Sequence, residues 1–249
     1  MTPDTTSCGH WSQENSPMAQ ICCKGSSKCG TFAGGQVGAL FGTVICMGEP
    51  PRPSRIILAS SSPRRRELMS RSGYDFQVVQ PPMAEPDSAC KGLPPARQAE
   101  ALAHFKARAV ADRFPHAYVL GADTVVAVGD EVLGKPAGIS EARSTLRSLS
   151  GTRHSVITGM ALLGPNSERI IAAETTYVTM REMTAEQIEE YLDSGEWAGK
   201  AGAYAIQETA DRFVESVEGS FTNVVGLPME LLARMTKELQ EHPIAHARG

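Results

Sequence analysis

Long apolar runs are missing from this chain of 249 residues. No stretch of about 18 apolar residues occurs, and no basic head precedes a hydrophobic core of the kind that marks a secretory signal. Both absences argue against a membrane span or export, so the cytoplasm is the expected compartment. Positive excess is missing too: the formal charge is -4 and the pI is near 5.9. The chain as a whole therefore has no bulk attraction for a polyanion, and a stable nucleic-acid complex is not expected. Glycine is plentiful, yet it forms neither GxGxxG nor GxxxxGK followed by Ser or Thr, which leaves a Rossmann dinucleotide site and a P-loop unsupported. GxSxG is absent as well, and no Ser/His/Asp or Cys/His arrangement emerges. Cysteine is almost missing beyond residue 50, with Cys8, Cys22, Cys23, Cys29 and Cys46 before it and Cys90 after it. Their spacing is neither CxxC…CxxC nor that of a Cys/His finger, so reduced thiols are expected in preference to a zinc site.

What is present divides the chain. Residues 1–53 are rich in Ser, Gly, Thr and Cys, carry no sustained period, and close on Gly48-Glu49-Pro50-Pro51-Arg52-Pro53. They read as a poorly ordered extension and a Pro-rich linker. The abrupt onset of orderly sequence suggests Met47 as the true start, a hypothesis that a native N-terminal peptide from upstream of Met47 would refute. Residues 54–241 read as one folded domain and 242–249 as a tail. Strands are expected at Arg55–Ala59, Phe76–Val79, Tyr118–Ala122, Thr124–Val128, Ser155–Leu163 and Ile170–Met180, with a Gly129-Asp130 turn leading into Val132-Leu133. Helices are expected at Pro95–Phe114, from a Ser140 cap to Leu149, after a Thr184 to Gln187 capping box, and over Leu227 to Leu239. Interleaved strands and helices predict an α/β fold with a mixed sheet.

The stretch Arg55 to Gly73 breaks a local rule. A buried strand leads into Ser60-Ser61-Ser62, Ser62 caps a helix, and Pro63 is its first residue. Arg64, Arg65 and Arg66 then occupy the first turn, where the positive pole of the helix makes each cation unfavourable by about 0.3–1 kcal/mol unless an anion offsets it. Serine hydroxyls, free N–H groups and guanidinium forks on one spot suit a phosphate-bearing ligand. The alternative is that the arginines reach solvent or pair with Glu67.

Asp123 lies between apolar runs, which sets a carboxylate at the edge of a dry core; the alternative is a turn aspartate capping a backbone N–H. Lys135, in Gly134-Lys135-Pro136, offers a point charge for a phosphate oxygen. Glu85, in a stiff Pro-rich loop, could join Asp123 in holding Mg²⁺ or Mn²⁺, or be a surface glutamate. Lys106 lies within a helix and faces either ligand or solvent. The small residues of Gly199–Gln207 permit close approach of backbone to a ligand, and the Gln207 amide can read a base edge.

These segments together resemble the Maf family of nucleotide pyrophosphatases. The resemblance rests on LASSSPRRREL (58–68), Glu85, Lys106-Ala107, GADTVV (121–126), GKP (134–136), LSGTRHSVITG (149–159), GKAGAYAIQ (199–207) and NVVGLP (223–228), in family order. It implies a Maf/inosine triphosphatase-like fold, with an elongated twisted sheet flanked by helices and two lobes around a cleft, often as a homodimer. It also implies hydrolysis of a nucleoside triphosphate between the α and β phosphates with a divalent metal, Asp123 being the general base. Arg64, Thr124 and Gln207 match the branch acting on dTTP and UTP, with modified pyrimidine nucleotides as a further substrate class; the 7-methyl-GTP branch has Trp, Gln and Glu there. Ser61, Ser62, Arg65, Lys106 and Lys135 would hold the phosphates, and Glu85 and Asp123 the metal. Ala84 stands where many relatives have an acidic residue, and residues 1–50 have no counterpart. The rival from another class is a nucleotide-binding regulator of cell division that senses the ligand without turnover.

Overall fold

Four consecutive buried residues, Ile56–Ala59, form β1, and a strand apolar on both faces belongs inside a sheet covered on both sides. The structure is a computed structural model and describes residues 55–82, 90, 92–207 and 209–241. The expectations for residues 1–53, for Glu85 and for the tail 242–249 lie outside the described residues, as do all the cysteines except Cys90.

After β1 come α1 (Pro63–Arg71), β2 (Phe76–Val78), α2 (Pro95–Ala111), β3 (Tyr118–Val128), β4 (Glu131–Leu133) and α3 (Ile139–Leu149). Then follow β5 (Arg153–Leu163), β6 (Arg169–Met180), α4 (Ala185–Asp193), β7 (Val214–Glu218), α5 (Phe221–Val225) and α6 (Met229–Glu241). The sheet has seven strands in the order β2-β1-β3-β5-β6-β7, with β4 also paired to β3. β2, β1 and β3 run parallel, and the other pairings are antiparallel. The mixed α/β sheet is thus as expected. Its long strands β3, β5 and β6 have 11, 11 and 12 residues, which at about 3.3 Å per residue makes the sheet elongated.

One face of the long strands carries two apolar cores separated by a polar belt. Leu120, Ala122, Met160 and Leu162 pack with α1 and α6 at one end; Val126, Val156, Val178 and Met180 pack with α3 and α4 at the other. Between them stand Thr124, Thr158 and Thr176. The Thr124 and Thr158 hydroxyls lie 2.9 Å apart, and Thr158 donates to the Asn223 carbonyl at 3.2 Å. The Asn223 amide, fully buried, donates in turn to the Val156 carbonyl and to Thr176 Oγ1, each at 2.9 Å. These hydrogen bonds offset much of the cost of holding the hydroxyls and the amide nitrogen in the interior.

The opposite face is covered by α2. A Cβ on Gly121 would fall onto the Ala103 carbonyl oxygen, and one on Gly159 onto the Ala99 backbone. Only glycine admits a helix this close, and Ala99, Ala103 and Ala107 complete the contact from the helix side.

Three expectations are corrected. β3 is continuous through Asp123, whose backbone pairs opposite Gly159; a polar side chain does not interrupt a backbone ladder, so the turn-aspartate alternative falls. Helix α3 begins at Ile139 after an extended Gly138, with no side-chain cap from Ser140. Glu141 satisfies that end instead by accepting from the Ala137 N–H at 2.8 Å. Helix α2 stops at Ala111, short of Phe114. β7 and α5 were not expected at all. The Ser62 cap and the Thr184–Gln187 capping box are where the sequence puts them.

Candidate active site

The edge of β3 away from β5 is paired twice, to β1 up to Ala59 opposite Gly121 and to β4 from Val126 opposite Leu133. Among the described residues no strand pairs with Ala122–Val125 on that edge. The result is a notch between the end of β1 and the end of β4. Successive residues of a strand point to opposite faces, yet at an open edge both are reachable, which is why Asp123 and Thr124 line the same cleft. Clefts outside the carboxyl ends of parallel strands, where chain direction switches, are where α/β sheets take ligands.

The cleft holds about 550 Å³. Ser60, Ser61, Ser62, Arg64 and Arg65 enter from the β1–α1 turn, Lys106 from α2, Lys135 from the loop after β4, and Lys200 from the segment after α4. Asp123 is the only carboxylate among the described lining residues. It is 5% exposed, and Lys106 Nζ binds its Oδ1 at 2.6 Å. Lys106 was read as a phosphate ligand or a solvated lysine; here it binds the Asp123 carboxylate.

The α1 start separates its arginines as a helix must, by rotation of about 100° per residue. Arg65 is 8% exposed. Its Nε donates to the Gly226 carbonyl at 2.8 Å, one terminal nitrogen to Ser60 Oγ at 3.3 Å and the other to Thr124 Oγ1 at 3.1 Å. Arg64 is half-buried at the cleft, and Arg66 is exposed. The Ser62 hydroxyl accepts from the Arg65 N–H and Ser60 Oγ accepts from the Ser62 N–H, so two serine oxygens brace the turn while Ser61 is exposed. By position, the Arg64 N–H has no intrahelical acceptor.

The cleft also has an apolar lining, from Val126, Val156, Tyr204, Ile206, Val224 and Val225. Gln207 does not line it; the residue is exposed, and Ile206 before it forms the wall. Behind Tyr204 sits His154, 1% exposed, its Nε2 2.7 Å from the tyrosine hydroxyl. Burial pushes the imidazole down to about 4, against a smaller opposing pull from the Thr152 backbone. Burial likewise raises the Tyr204 hydroxyl, which stays protonated.

Lys200, Gln80, Tyr204 and Gly226 line the cleft without having been singled out, and His154 braces it from behind. Lys200 carried a signal, a cation amid small residues; the His154–Tyr204 pair joins positions 50 residues apart and left none.

The donors suit an anion with several oxygens, and the apolar lining suits a flat apolar group attached to it. Among the described residues no group of three or more His, Cys, Asp or Glu comes together that could hold a metal. The carboxylate present is nevertheless of the right kind, since Mg²⁺ is usually bound by one or two carboxylates, with phosphate oxygens and water completing its shell.

Comparison with known proteins adds to this geometry. The Maf family, described as Maf-like protein, matches residues 55–239. The chain is 45% identical over 185 residues to a dTTP/UTP pyrophosphatase of Geobacillus sp. (strain WCH70), covering 74% of this chain and 98% of that one. It is 47% identical over 181 residues to a dTTP/UTP pyrophosphatase of Symbiobacterium thermophilum, covering 73% and 92%. Among solved structures, a HAM1 protein from Coxiella burnetii is similar with a TM-score of 0.43 at 18% identity, covering 74% of this chain and 98% of that one.

Proposed function

The chain belongs to the Maf family, and on that premise we propose that residues 54–241 form a nucleoside triphosphate pyrophosphatase that hydrolyses dTTP and UTP to the monophosphate and pyrophosphate. The relatives named for that activity are matched over nearly their whole length. The observation that carries the reading is the gathering of Arg64, Lys106, Lys135 and Lys200 around the single carboxylate Asp123 in the described wall of one cleft.

The triphosphate meets the cationic lining. Lys135 and Lys200 neutralise its oxygens, and Arg64 with the Ser60–Ser62 turn receives the rest. Lys106 holds Asp123 by Oδ1, which fixes the carboxylate and leaves Oδ2 to take a proton from water. The water oxygen bonds to the α-phosphorus, the bond from that phosphorus to the bridging oxygen breaks, and pyrophosphate leaves with the bond's electrons. Asp123 and Glu85, with phosphate oxygens and water, would hold Mg²⁺ or Mn²⁺, which when bound spreads the charge that builds on the phosphoryl oxygens. Arg65 acts indirectly, since its fork ties α1 to Gly226 and Thr124. Base choice falls to Arg64 and Thr124, with Gln207 next to the wall residue Ile206.

A panel of UTP, dTTP and 7-methyl-GTP with and without Mg²⁺ or Mn²⁺ tests the assignment. Metal-dependent release of pyrophosphate from UTP and dTTP above 7-methyl-GTP supports it. Binding without turnover would favour the sensor, and the reverse order of substrates the other branch.

A further inference from the structure

Tyr204 is set into the cleft wall by a segment that closes one local turn, Ala203 N–H to the Lys200 carbonyl at 3.1 Å, on a strained backbone. Gly199, Gly202 and Ala203 have φ of 71, 70 and 60°, and Ala203 carries a side chain in the left-handed region, where any residue with a Cβ is disfavoured. Such a conformation persists only when the surroundings impose it. Two contacts do so on one side: the Gly202 N–H donates to the Gly134 carbonyl at 3.2 Å, and the Gly202 backbone packs on the Val126 side chain. On the other side stands His154. Its ring meets Tyr204 edge to face, with centroids 5.5 Å apart and planes at 88°, and the hydroxyl reaches Nε2 at 2.7 Å.

His154 does not itself line the cleft. It projects from β5, where its backbone pairs with Val178 of β6 and the next residue, Ser155, also pairs with Ala127 of β3, and so is a fixed anchor for a strained neighbour. His154 Nε2 and the Tyr204 hydroxyl share one hydrogen bond, and the ring tautomer sets which of the two donates.

We propose that His154 is a positioning residue for the nucleotide: through Tyr204 it holds the apolar wall of Val126, Val156, Tyr204 and Ile206 at the separation a pyrimidine nucleoside needs. This rests on the proposed pyrophosphatase reading. The same anchor keeps Lys200 and Ile206 in place, since both belong to the segment it pins. His154 takes no part in proton transfer, being sealed behind the wall it supports.

The experiment is steady-state kinetics with UTP, paired with calorimetric titration of UTP, on the full chain and three variants. His154→Leu removes the hydrogen-bond partner and raises KM and the dissociation constant about tenfold, with kcat within about twofold, as loss of ground-state binding requires. His154→Gln, whose amide can donate or accept the same hydrogen bond, returns both to within about threefold of the parent. Tyr204→Phe keeps the ring, loses the hydroxyl, and raises KM about three- to fivefold; it decides the matter should His154→Leu not fold. An unchanged KM in His154→Leu and Tyr204→Phe, or a fall in kcat at constant KM, overturns the inference while the parent's turnover leaves the pyrophosphatase reading standing. A parent that neither binds nor hydrolyses UTP overturns both.

Discussion

The two faces of β3 at the notch are built on opposite plans. Toward α2 the sheet is stripped to glycine at Gly121 and Gly159, helix backbone lies against strand, and a single ion pair, Lys106–Asp123, fills the remaining space. Toward the two apolar cores the polar belt's own groups are neutral: Thr124, Thr158, Thr176 and Asn223 exchange hydrogen bonds, His154 is held uncharged by burial, and the guanidinium that joins them, Arg65 on Thr124, reaches in from α1. The ion pair sits where the packing is least able to give, which fixes the Asp123 carboxylate. On the other face the belt contributes hydroxyls and an amide, which hydrogen-bond without a net charge of their own.

The charged face is broken most severely by Asp123→Asn, which keeps the shape and removes the base. Pyrophosphate release from UTP should fall about 10²–10⁴-fold with far-UV circular dichroism unchanged; activity within twofold of the parent would remove Asp123 from the mechanism. Gly121→Val attacks the closeness of α2 without touching the ion pair. The new side chain meets the Ala103 carbonyl and Ala107, so α2 must move, and overpacking of this kind costs about 1–3 kcal/mol. Denaturant unfolding should report that loss, and kcat should fall with it because Lys106 travels with the helix.

The neutral face is probed by pH. The His154 imidazole in the folded protein resists the proton that the unfolded chain accepts near 6.5. Its contribution to stability is therefore complete above about 6.5 and lost as pH falls toward about 4, with up to about 3 kcal/mol at stake. Stability curves of the parent and His154→Gln over that window should differ in slope, the variant being flatter. Smallest of all is Thr184→Ala at the α4 capping box, remote from both faces. It should lower stability by about 1 kcal/mol and leave KM and kcat where they were.

Legibility in the sequence followed locality. The α1 start could be read residue by residue, because capping by Ser62, Pro63 at the first position and three cations in the first turn are all local facts. Long strands β5 and β6 showed in their composition. The notch did not, since it arises from where β1 and β4 stop along β3, a matter of pairing across distant segments. Asp123 was singled out for its polarity between apolar runs, but read as a break in the strand, because a side-chain pattern says nothing of the backbone ladder beneath it. The division of labour between Arg64 and Arg65 was half visible: helical rotation separates them, yet only the folded chain shows Arg65 reaching Gly226, 161 residues on. Gln207 was singled out for its amide and for the family resemblance; its exposure, with Ile206 before it lining the cleft, was not legible in either.

Product analysis of UTP incubated with the purified protein and Mg²⁺ or Mn²⁺ tests the central claim most directly. UMP and pyrophosphate in equal amounts, with neither formed by Asp123→Asn, is the predicted result. UDP and inorganic phosphate, or tight UTP binding with no product at all, would contradict it.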